Sequence, residues 1–411
     1  MDLLLSSHNV IQYLQESGLC STEDSADADS ELPHSYNNRN LLVTLAGKSQ
    51  LLVKQKKYFE SDVTIHDFFN EWLLYQLLNN FPVLGNIPAI ASSLVHFDEA
   101  NSILVHSYLS EYEELGYTYQ KNGYFPTAIA TAIGSNLAAL HRITYNQREY
   151  RNFMSSSPDG GIRYQLHNPA QGISIITPEI FGKVPKSALE FYLRNQRYEN
   201  LEAAIADLAY EWNPNCLTHN DLQLQNILIH SRWQQLDNPV VRFIDWEACT
   251  WGDPAFDLGT TIASYLRVWL NSLVVDSTLG LEESLNLAMI PISCLQPSIL
   301  ALIRGYVDAF PQILEYHQDF VSRVVQFAGL ALINHLEVKI KYQQHFEISG
   351  ISMLEVARKL IIMPQQSALT VFGIEESEVL PTLSKFEQDS ETAPQQNLLR
   401  IYYEKTRLRG C

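Results

Sequence analysis

The segment His219–Leu228, HNDLQLQNIL, sets a His, an Asp and an Asn at short intervals before an apolar run. Asp221 lies in a predicted loop, Asn226 begins a predicted strand, and Asp245 ends the partner strand of the same predicted hairpin. Because a β-hairpin brings its open ends together, we expect Asn226 and Asp245 to face each other across a few ångströms. Amide and carboxylate oxygens suit Mg²⁺, which also takes phosphate oxygens. Asp221 is then free to accept a proton from a hydroxyl nucleophile, so the pattern indicates phosphoryl transfer.

The same segment matches the H-x-D-x-x-x-x-N catalytic loop of kinase-fold enzymes. IDWE stands where protein kinases have their Asp-Phe-Gly metal motif, and DPAFDLG follows shortly after it. With these motifs the chain resembles the aminoglycoside phosphotransferase and choline kinase family of small-molecule kinases. The resemblance implies Asp221 as the catalytic base and ATP with Mg²⁺ as cofactors. It also implies Asn226 and Asp245 as the Mg²⁺ ligands, with Glu247 as a supporting group at the metal site.

Other residues would support this loop. The resemblance implies that Asp257 holds the catalytic loop from beneath through backbone hydrogen bonds, while Asp253-Pro254 opens the next helix. His219 is interpreted as structural, because hydrogen-bonded histidines commonly brace loops. LAALH, at Leu137–His141, is similar to the family's short helix signature before the catalytic loop.

The same template needs a strand lysine that holds the nucleotide phosphates and a helix glutamate that holds the lysine. LLVKQ supplies Lys54 and FFNEWLLYQLL supplies Glu71, in the expected order. Residues 107–110, at a strand-to-helix boundary, would form the hinge whose backbone meets the adenine.

The loop over the phosphates departs from the protein-kinase pattern. HSYNNRN stands where a Gly-rich loop is expected, and it contains no glycine. Ser35, Asn37 and Asn38 could offer hydroxyl, amide and backbone N–H donors instead, since Asn tolerates left-handed turns. We therefore assign Ser35 and Asn38 to the nucleotide site. The first strand is expected around Asp29–Pro33.

The elements that position these residues divide into two parts. Residues 3–17 are predicted as a short amphipathic helix, and a sheet with one crossing helix follows. Its predicted strands are Leu41–Leu45, Gln50–Gln55, Ser93–Phe97 and Ser102–Ser107, and the helix is Phe68–Leu78. Long helical periodicity follows from about Tyr108. The predicted helices are Thr127–Arg142, Ala188–Trp212, Phe256–Leu270, Ser298–Phe310, Phe320–Tyr342 and Met353–Met363.

These elements predict an α+β, two-lobed protein-kinase-like fold. A small antiparallel β-sheet lobe with one crossing helix would precede a larger, mainly helical lobe. We expect a nucleotide-binding lobe at 1–107, a helical catalytic and substrate lobe at 108–345, and a C-terminal helical extension and tail at 346–411.

Composition limits the classes of partner. The 411-residue chain has a formal net charge of -18, which argues against nucleic acid, because phosphate backbones are bound by Lys and Arg. Its five cysteines are scattered without a CxxC pair, as in a reducing compartment. Asp2 stands where a signal peptide would carry basic residues, and the apolar stretch 258–275 contains Arg267. We expect a cytoplasmic protein without a membrane partner.

The acceptor is predicted to be small. Only seven residues separate Asp245 from Asp253, where a protein kinase inserts a long activation segment. This favours a small-molecule hydroxyl: an amino sugar, an amino alcohol such as choline or ethanolamine, a thiosugar or a homoserine-like metabolite. Two alternatives stay open: a kinase acting on Ser or Thr of a peptide, and a catalytically silent pseudokinase that serves as a binding module. The glycine-free loop favours the pseudokinase, and GTP is an alternative to ATP.

Overall fold

The computed structural model describes much of the chain in separate ranges. These are residues 3–21, 27–28, 38–45, 49–56, 68–87, 90, 93–156, 168–170, 186–197, 199–237, 240–274, 280–343, 346 and 348–380. Within these ranges, no helix is both long enough and apolar enough to cross a membrane.

A five-stranded antiparallel sheet forms the first lobe, in the order β1-β2-β3-β5-β4. Its strands are β1 (Asp27–Ala28), β2 (Asn38–Thr44), β3 (Gln50–Lys56), β4 (Leu94–Asp98) and β5 (Ile103–Ser107). β3 is central, because it pairs with both β2 and β5. Successive side chains of a strand point to opposite faces, so Val53 and Lys54 lie on different sides of the sheet.

Different helices cover the two faces of this sheet. Helix α1 (Val10–Glu16) packs Val10 and Leu14 against Val53 and its neighbours in a small apolar cluster. Helix α2 (Phe69–Asn80) serves the opposite face, where Glu71 reaches Lys54. The predicted crossing helix and the four predicted strands are present, with shifted ends.

Two small sheets lie between the first lobe and the helices. β6 (Tyr112–Glu114), β8 (Ile227–His230) and β9 (Val241–Phe243) form one, in the order β6-β8-β9. β7 (Cys216–Thr218) pairs with β10 (Thr250–Gly252) in the other. The hairpin β8–β9 is the one that the sequence predicts, while its third strand β6 was not predicted.

The rest of the described chain is mainly helical. The helices are α3 (Leu115–Asn122), α4 (Thr127–Thr144), α5 (Arg148–Met154), α6 (Lys186–Gln196), α7 (Glu199–Tyr210), α8 (Pro254–Leu270), α9 (Leu281–Asn286), α10 (Gln296–Ala309), α11 (Ile313–Tyr316), α12 (Phe320–Gln343), α13 (Ile348–Ile362), α14 (Pro364–Phe372) and α15 (Glu376–Val379). Almost every residue of α8 is buried, and α12 packs along it. The resulting apolar core extends from Leu74 of α2 to Phe372 of α14.

Three sequence predictions differ from this architecture or fall outside it. The N-terminal helix begins only at Val10, because the Asn9 side chain accepts from Ser6 N and donates to Leu4 O in a preceding turn. The predicted helix 188–212 is two helices, α6 and α7. The polar run 195–200 interrupts the apolar periodicity of the sequence at this point. The first strand predicted at 29–33 lies outside the described residues.

Candidate active site

The mouth of the β8–β9 hairpin brings together the polar residues of the two motifs. Ile244 N donates to Asn226 O at 3.0 Å, so the chain before Asp245 adjoins the start of β8. Asn226 Nδ2 donates to Asp221 O at 2.8 Å and to Asp221 Oδ2 at 3.1 Å. Asp245 has a left-handed backbone, with φ 66°, which is rare for a residue other than glycine. Such a conformation at a hairpin mouth is typical of a functional turn.

Asp221 lies in an environment that favours its neutral form more than water does. Burial raises the pKa of the Asp221 carboxyl to about 7, and the charges of Asp245 and Glu247 act in the same direction. Gln223 Nε2 donates a hydrogen bond to Asp221 Oδ1 and opposes this rise. A carboxyl with a pKa near neutrality is suited to accept a proton and to release it again.

A buried aspartate fastens the loop that carries Asp221. Asp257 Oδ2 accepts from His219 N and Asp257 Oδ1 accepts from Asn220 N, each at 2.7 Å. These are the backbone hydrogen bonds that the sequence predicts for Asp257. His141 Nε2 lies 3.2 Å from Asp257 Oδ2, which connects the Leu137–His141 motif to the same carboxylate.

His219 and Asn220 complete the loop. His219 Nε2 lies 2.9 Å from Ile244 O, and His219 Nδ1 accepts from Asp221 N at 3.3 Å. Burial lowers the pKa of the His219 imidazole, so the ring is neutral near pH 7. Asn220 has φ 64°, and its side chain donates to Ala248 O and Thr250 Oγ1 at 2.9 Å. These two adjacent side chains thus tie the start of the loop to residues 244–250.

The first lobe contributes a buried lysine. Lys54 Nζ lies 2.8 Å from Asp245 Oδ1 and 3.8 Å from Glu71 Oε2. Burial alone would lower the pKa of the ammonium, but the Asp245 and Glu71 carboxylates raise it above its ordinary value. Burial also raises the pKa of Glu71 to about 7, against the attraction of Lys54. Lys54 and Glu71, the pair that the sequence predicts, therefore lie within ion-pair distance, and Lys54 also reaches the second lobe at Asp245.

Glu247 and Asn38 meet where the two lobes adjoin. Asn38 Nδ2 donates to Glu247 Oε2 at 3.0 Å, and Lys56 Nζ lies 3.9 Å from the same oxygen. Glu247 therefore contacts the end of the first-lobe hairpin. Ser35, also assigned to the nucleotide site, lies outside the described residues. At the predicted hinge, Ser107 N donates to Ser93 O and Tyr108 N to Gln50 O, which fixes the start of the 107–110 segment.

The donor set at the hairpin mouth fits Mg²⁺. The Asn226 amide uses Nδ2 to hold Asp221, which leaves Oδ1 directed away from that carboxylate. Asp245 adds a carboxylate whose pKa the Lys54 charge lowers in spite of burial. Among the described residues, no group of three or more His, Cys, Asp or Glu side chains could hold a metal by itself. Mg²⁺ commonly binds one or two carboxylates together with substrate phosphates, and this sparse set is suited to that mode.

Sequence reasoning missed three residues of the site. Gln223 and Arg267 continue the hydrogen-bonded chain from Asp221, because Arg267 Nη1 donates to Gln223 Oε1. His106 places Nε2 3.4 Å from Glu71 Oε1 behind the lysine. A signal existed for Arg267, since it is a lone charge in the apolar stretch 258–275.

Comparisons with known proteins show which family the chain is similar to. A model of the phosphotransferase enzyme family, APH, matches residues 30–280, which is more than half of the chain. No curated protein matches the sequence. Among solved structures, a choline/ethanolamine kinase family protein from Mesorhizobium loti is 13% identical, with 88% of this chain and 97% of that chain covered and a TM-score of 0.50. The choline kinase LicA from Streptococcus pneumoniae is 16% identical over 86% of this chain and 98% of that chain, with a TM-score of 0.45.

The chain therefore belongs to the phosphotransferase enzyme family. The likeness to the Mesorhizobium loti protein identifies the architecture as the two-lobed protein-kinase-like fold that the sequence predicts.

Proposed function

We propose that this family member transfers the γ-phosphate of ATP to a hydroxyl group of a small molecule of the amino sugar or amino alcohol class. The observation that carries the proposal is the meeting of the Asp221–Asn226 pair with the Lys54–Asp245 ion pair at the mouth of one hairpin. A base, hard oxygen ligands and a buried phosphate-binding cation are the groups that phosphoryl transfer requires.

In this proposal each lobe has a separate task. Lys54 binds the nucleotide phosphates, and Glu71 keeps the ammonium in place from the opposite side. Asn226 and Asp245 would hold Mg²⁺, which neutralises charge on the phosphates when it is bound. Glu247 supports this end of the site, and Asn38 connects it to the first lobe. Positioning and charge neutralisation then contribute most of the rate, because the transition state of phosphoryl transfer is loose.

Asp221 serves as the base at the acceptor end. Its Oδ2 accepts from Asn226 and its Oδ1 from Gln223, which fixes the plane of the carboxylate. In that orientation it can receive the hydroxyl proton late in the transfer. Asp257 keeps the backbone of the loop still while this happens.

The short connection after Asp245 supports a small acceptor. The segment up to Asp253 forms one 3-10 turn at Trp246–Ala248 and the strand β10, whose partner β7 keeps it against the helical lobe. A connection of this length offers no long surface to a folded protein substrate. Cys216 and Cys249 are buried free thiols, which supports a reducing, cytoplasmic setting.

The test is an ADP-production screen with MgATP against amino sugars, amino alcohols and Ser/Thr peptides. We expect turnover on one small-molecule class and none without Mg²⁺. Asp245→Ala should abolish Mg²⁺-dependent nucleotide binding while the fold survives. Asp308→Ala, which removes an exposed carboxylate from α10, is the matched control. Silence on every acceptor with intact nucleotide binding would indicate a pseudokinase, and turnover on peptides alone would indicate the peptide kinase.

A further inference from the structure

Four polar side chains on one side of helix α8 form hydrogen bonds with the loop that carries Asp221. Asp257 accepts from the loop backbone, Thr261 Oγ1 donates to Leu222 O at 2.9 Å, and Ser264 Oγ accepts from Leu224 N at 3.0 Å. Arg267 is the fourth of these side chains, and it reaches Gln223 beside Asp221. The first three side chains are neutral or anionic, and each forms a hydrogen bond with a backbone group of the loop. Arg267 is a cation, and one hydrogen bond to an amide oxygen leaves most of its donors unused.

Arg267 lies beside the proposed base and reaches the Asp221 carboxylate only through the neutral Gln223 amide. Among the described residues, Gln223 is its hydrogen-bond partner, and no Asp or Glu oxygen lies within 4.0 Å of its guanidinium. Its Nε is buried and makes no hydrogen bond. Burial lowers the pKa of Arg267 to about 10, so the group still carries its charge at pH 7. A largely buried cation that meets its nearest carboxylate only through a neutral amide is unfavourable, and a bound anion in direct contact would offset that cost.

Helix α12 adds a neutral histidine and a lysine near Arg267. His335 and Lys339 are four residues apart, so they lie on one face of α12, the helix that packs along α8. Burial, and then the charges of Arg267 and Lys339, lower the pKa of His335 to about 3. Within the described parts of the chain, neither residue forms an ion pair with a carboxylate. In a chain of net charge -18, two positive charges, those of Arg267 and Lys339, thus act on one neutral histidine beside α8.

We propose that the basic cluster, Arg267 with His335 and Lys339, binds an oxyanion carried by the phosphate acceptor. The favoured acceptor is then a hydroxyl compound that also bears a carboxylate or a phosphate. Within the amino alcohols this selects hydroxy amino acids over neutral or cationic compounds such as choline. The inference rests on the proposed function, because Asp221 defines where the acceptor hydroxyl lies.

Matched pairs of acceptors test the proposal. L-serine and 2-aminopropane-1,3-diol differ by a carboxylate, and glycerol 3-phosphate and glycerol differ by a phosphate. In the ADP assay we expect kcat/KM for one anionic member to exceed that of its neutral partner by about 10- to 100-fold, the scale of a hydrogen bond to a charged group. A preference within the serine pair would identify the oxyanion as a carboxylate, and a preference within the glycerol pair would identify it as a phosphate.

Variants assign the preference to the cluster. Arg267→Met should reduce the anionic-over-neutral ratio by about tenfold or more through KM, and Arg267→Lys should restore part of it. Arg232→Met removes an exposed arginine from the β8–β9 hairpin and should keep the wild-type ratio. Equal losses of kcat on both members in Arg267→Met would overturn the inference, because the arginine would then act on the transferring phosphoryl group or on the loop.

A binding measurement separates this inference from the proposed function. Titration with inorganic phosphate should shift the histidine NMR signal of His335 in the wild-type protein, and Arg267→Met should abolish the shift. A shift without ADP formation from any acceptor would keep the oxyanion site and reject the phosphotransferase proposal. Turnover without any preference for anionic members, and without the shift, would keep the phosphotransferase and reject the oxyanion site.

Discussion

Asp221 owes its proposed role to two features that act in opposite directions. Burial raises its pKa to about 7, and the hydrogen bonds from Asn226 and Gln223 stabilise the ionised form. The carboxylate is therefore available near neutral pH and basic enough to take a proton in the transition state. The neighbouring Asp245 pairs with Lys54, which lowers the pKa of that carboxyl. The pKa values of two neighbouring carboxyl groups are thus shifted in opposite directions, as the two proposed roles require.

The substitution Asp221→Asn tests the assignment of Asp221 as the base, because it replaces one carboxylate oxygen with an amino group. The amide keeps the shape of the side chain but cannot accept the proton, so we expect turnover to fall by about a hundredfold or more. Nucleotide affinity should stay near the wild-type value, because Lys54 and Asp245 are unchanged. Steady-state kinetics and nucleotide titration measure the two quantities, with Asp207→Asn on the surface of α7 as the control. A larger loss of nucleotide affinity than of turnover would make Asp221 a metal ligand or a structural residue.

The order of residues along the sequence predicted the contacts within one lobe of the site, but it could not predict the contacts that depend on tertiary structure. Lys54 and Glu71 follow from their positions in a strand and the next helix, and their side chains lie 3.8 Å apart. The shorter contact of Lys54 with Asp245, at 2.8 Å, depends on how the two lobes are placed. The contact of Gln223 with Arg267 spans 44 residues and requires the direction of α8. No local spacing carries that information.

At the scale of elements, α8 connects the loop that carries Asp221 to the helical core. One side of the helix holds the loop through Asp257 and Thr261, and the other packs against α12. Gly259 permits this packing, since a Cβ there would lie 2.6 Å from Phe327 Cβ and 2.8 Å from Ala328 N. Neither contact is tolerable without a shift of one backbone against the other. The position of Asp257 therefore depends on the spacing of two helices.

Gly259→Ala should separate α8 from α12. We expect a loss of about 1–3 kcal/mol in the free energy of unfolding, the usual cost of overpacking a close helix contact. Turnover should fall as well, because Asp257 and Arg267 move with the helix. Urea unfolding and the ADP assay give both values. Gly85→Ala places a methyl group where no atom lies within 4 Å, so it controls for the substitution itself. Equal stability of the two variants would refute the close packing.

The α8–α12 interface also predicts a pH dependence of stability. The folded-state pKa of His335 is about 3, below its ordinary value of 6.5. The unfolded chain therefore binds more protons in this window, and the folded state loses stability as pH falls from 6.5 toward 3. His335→Gln should flatten the decline of the unfolding free energy between pH 7 and 5. The exposed His8→Gln should follow the wild-type curve, and parallel curves for all three proteins would contradict the shift.

Element types were easier to predict than element boundaries. Periodicity located α4, α8, α10, α12 and α13, because each buries a long apolar face. It failed at α6 and α7, where amphipathic segments lie on both sides of a short polar run. It also missed β6, a three-residue strand that exists only because β8 supplies its hydrogen-bonding partner. Short strands of this kind depend on tertiary contacts more than on their own sequence.

At the scale of the whole molecule, two apolar clusters of unequal size support the residues of the proposed site. The small one joins α1 to the outer face of the first sheet. The large one runs from α2 through the helical lobe to α13 and α14. A buried ion pair, Arg323 Nη2 to Asp253 Oδ2 at 2.6 Å, lies inside the large cluster and anchors the start of α8 to α12. The site therefore adjoins the larger and more extensively packed of the two clusters.

Residues on both sides of position 345, the predicted boundary of the C-terminal extension, belong to this large cluster. Leu354, Leu360 and Phe372 lie after that boundary, yet they are buried with residues of α8 and α12. Apolar residues that share one core unfold together in small domains. We therefore expect the described residues after 345 to unfold with the helices before that boundary, although their sequence lies beyond the matched family span.

Two substitutions on α14 decide between a shared and a separate folding unit. Phe372 is 2% exposed and Leu369 is 51% exposed. Phe372→Ala should cost about 3–5 kcal/mol, the usual loss for a truncated core aromatic. Leu369→Ala should stay within about 0.5 kcal/mol of the wild type, as surface substitutions do. Calorimetry with and without MgATP identifies the unfolding transition that the nucleotide shifts to higher temperature. If the extension shares the core, Phe372→Ala lowers the temperature of that same transition. A second transition that moves alone, while the MgATP-sensitive transition stays fixed, would make the extension an independent unit.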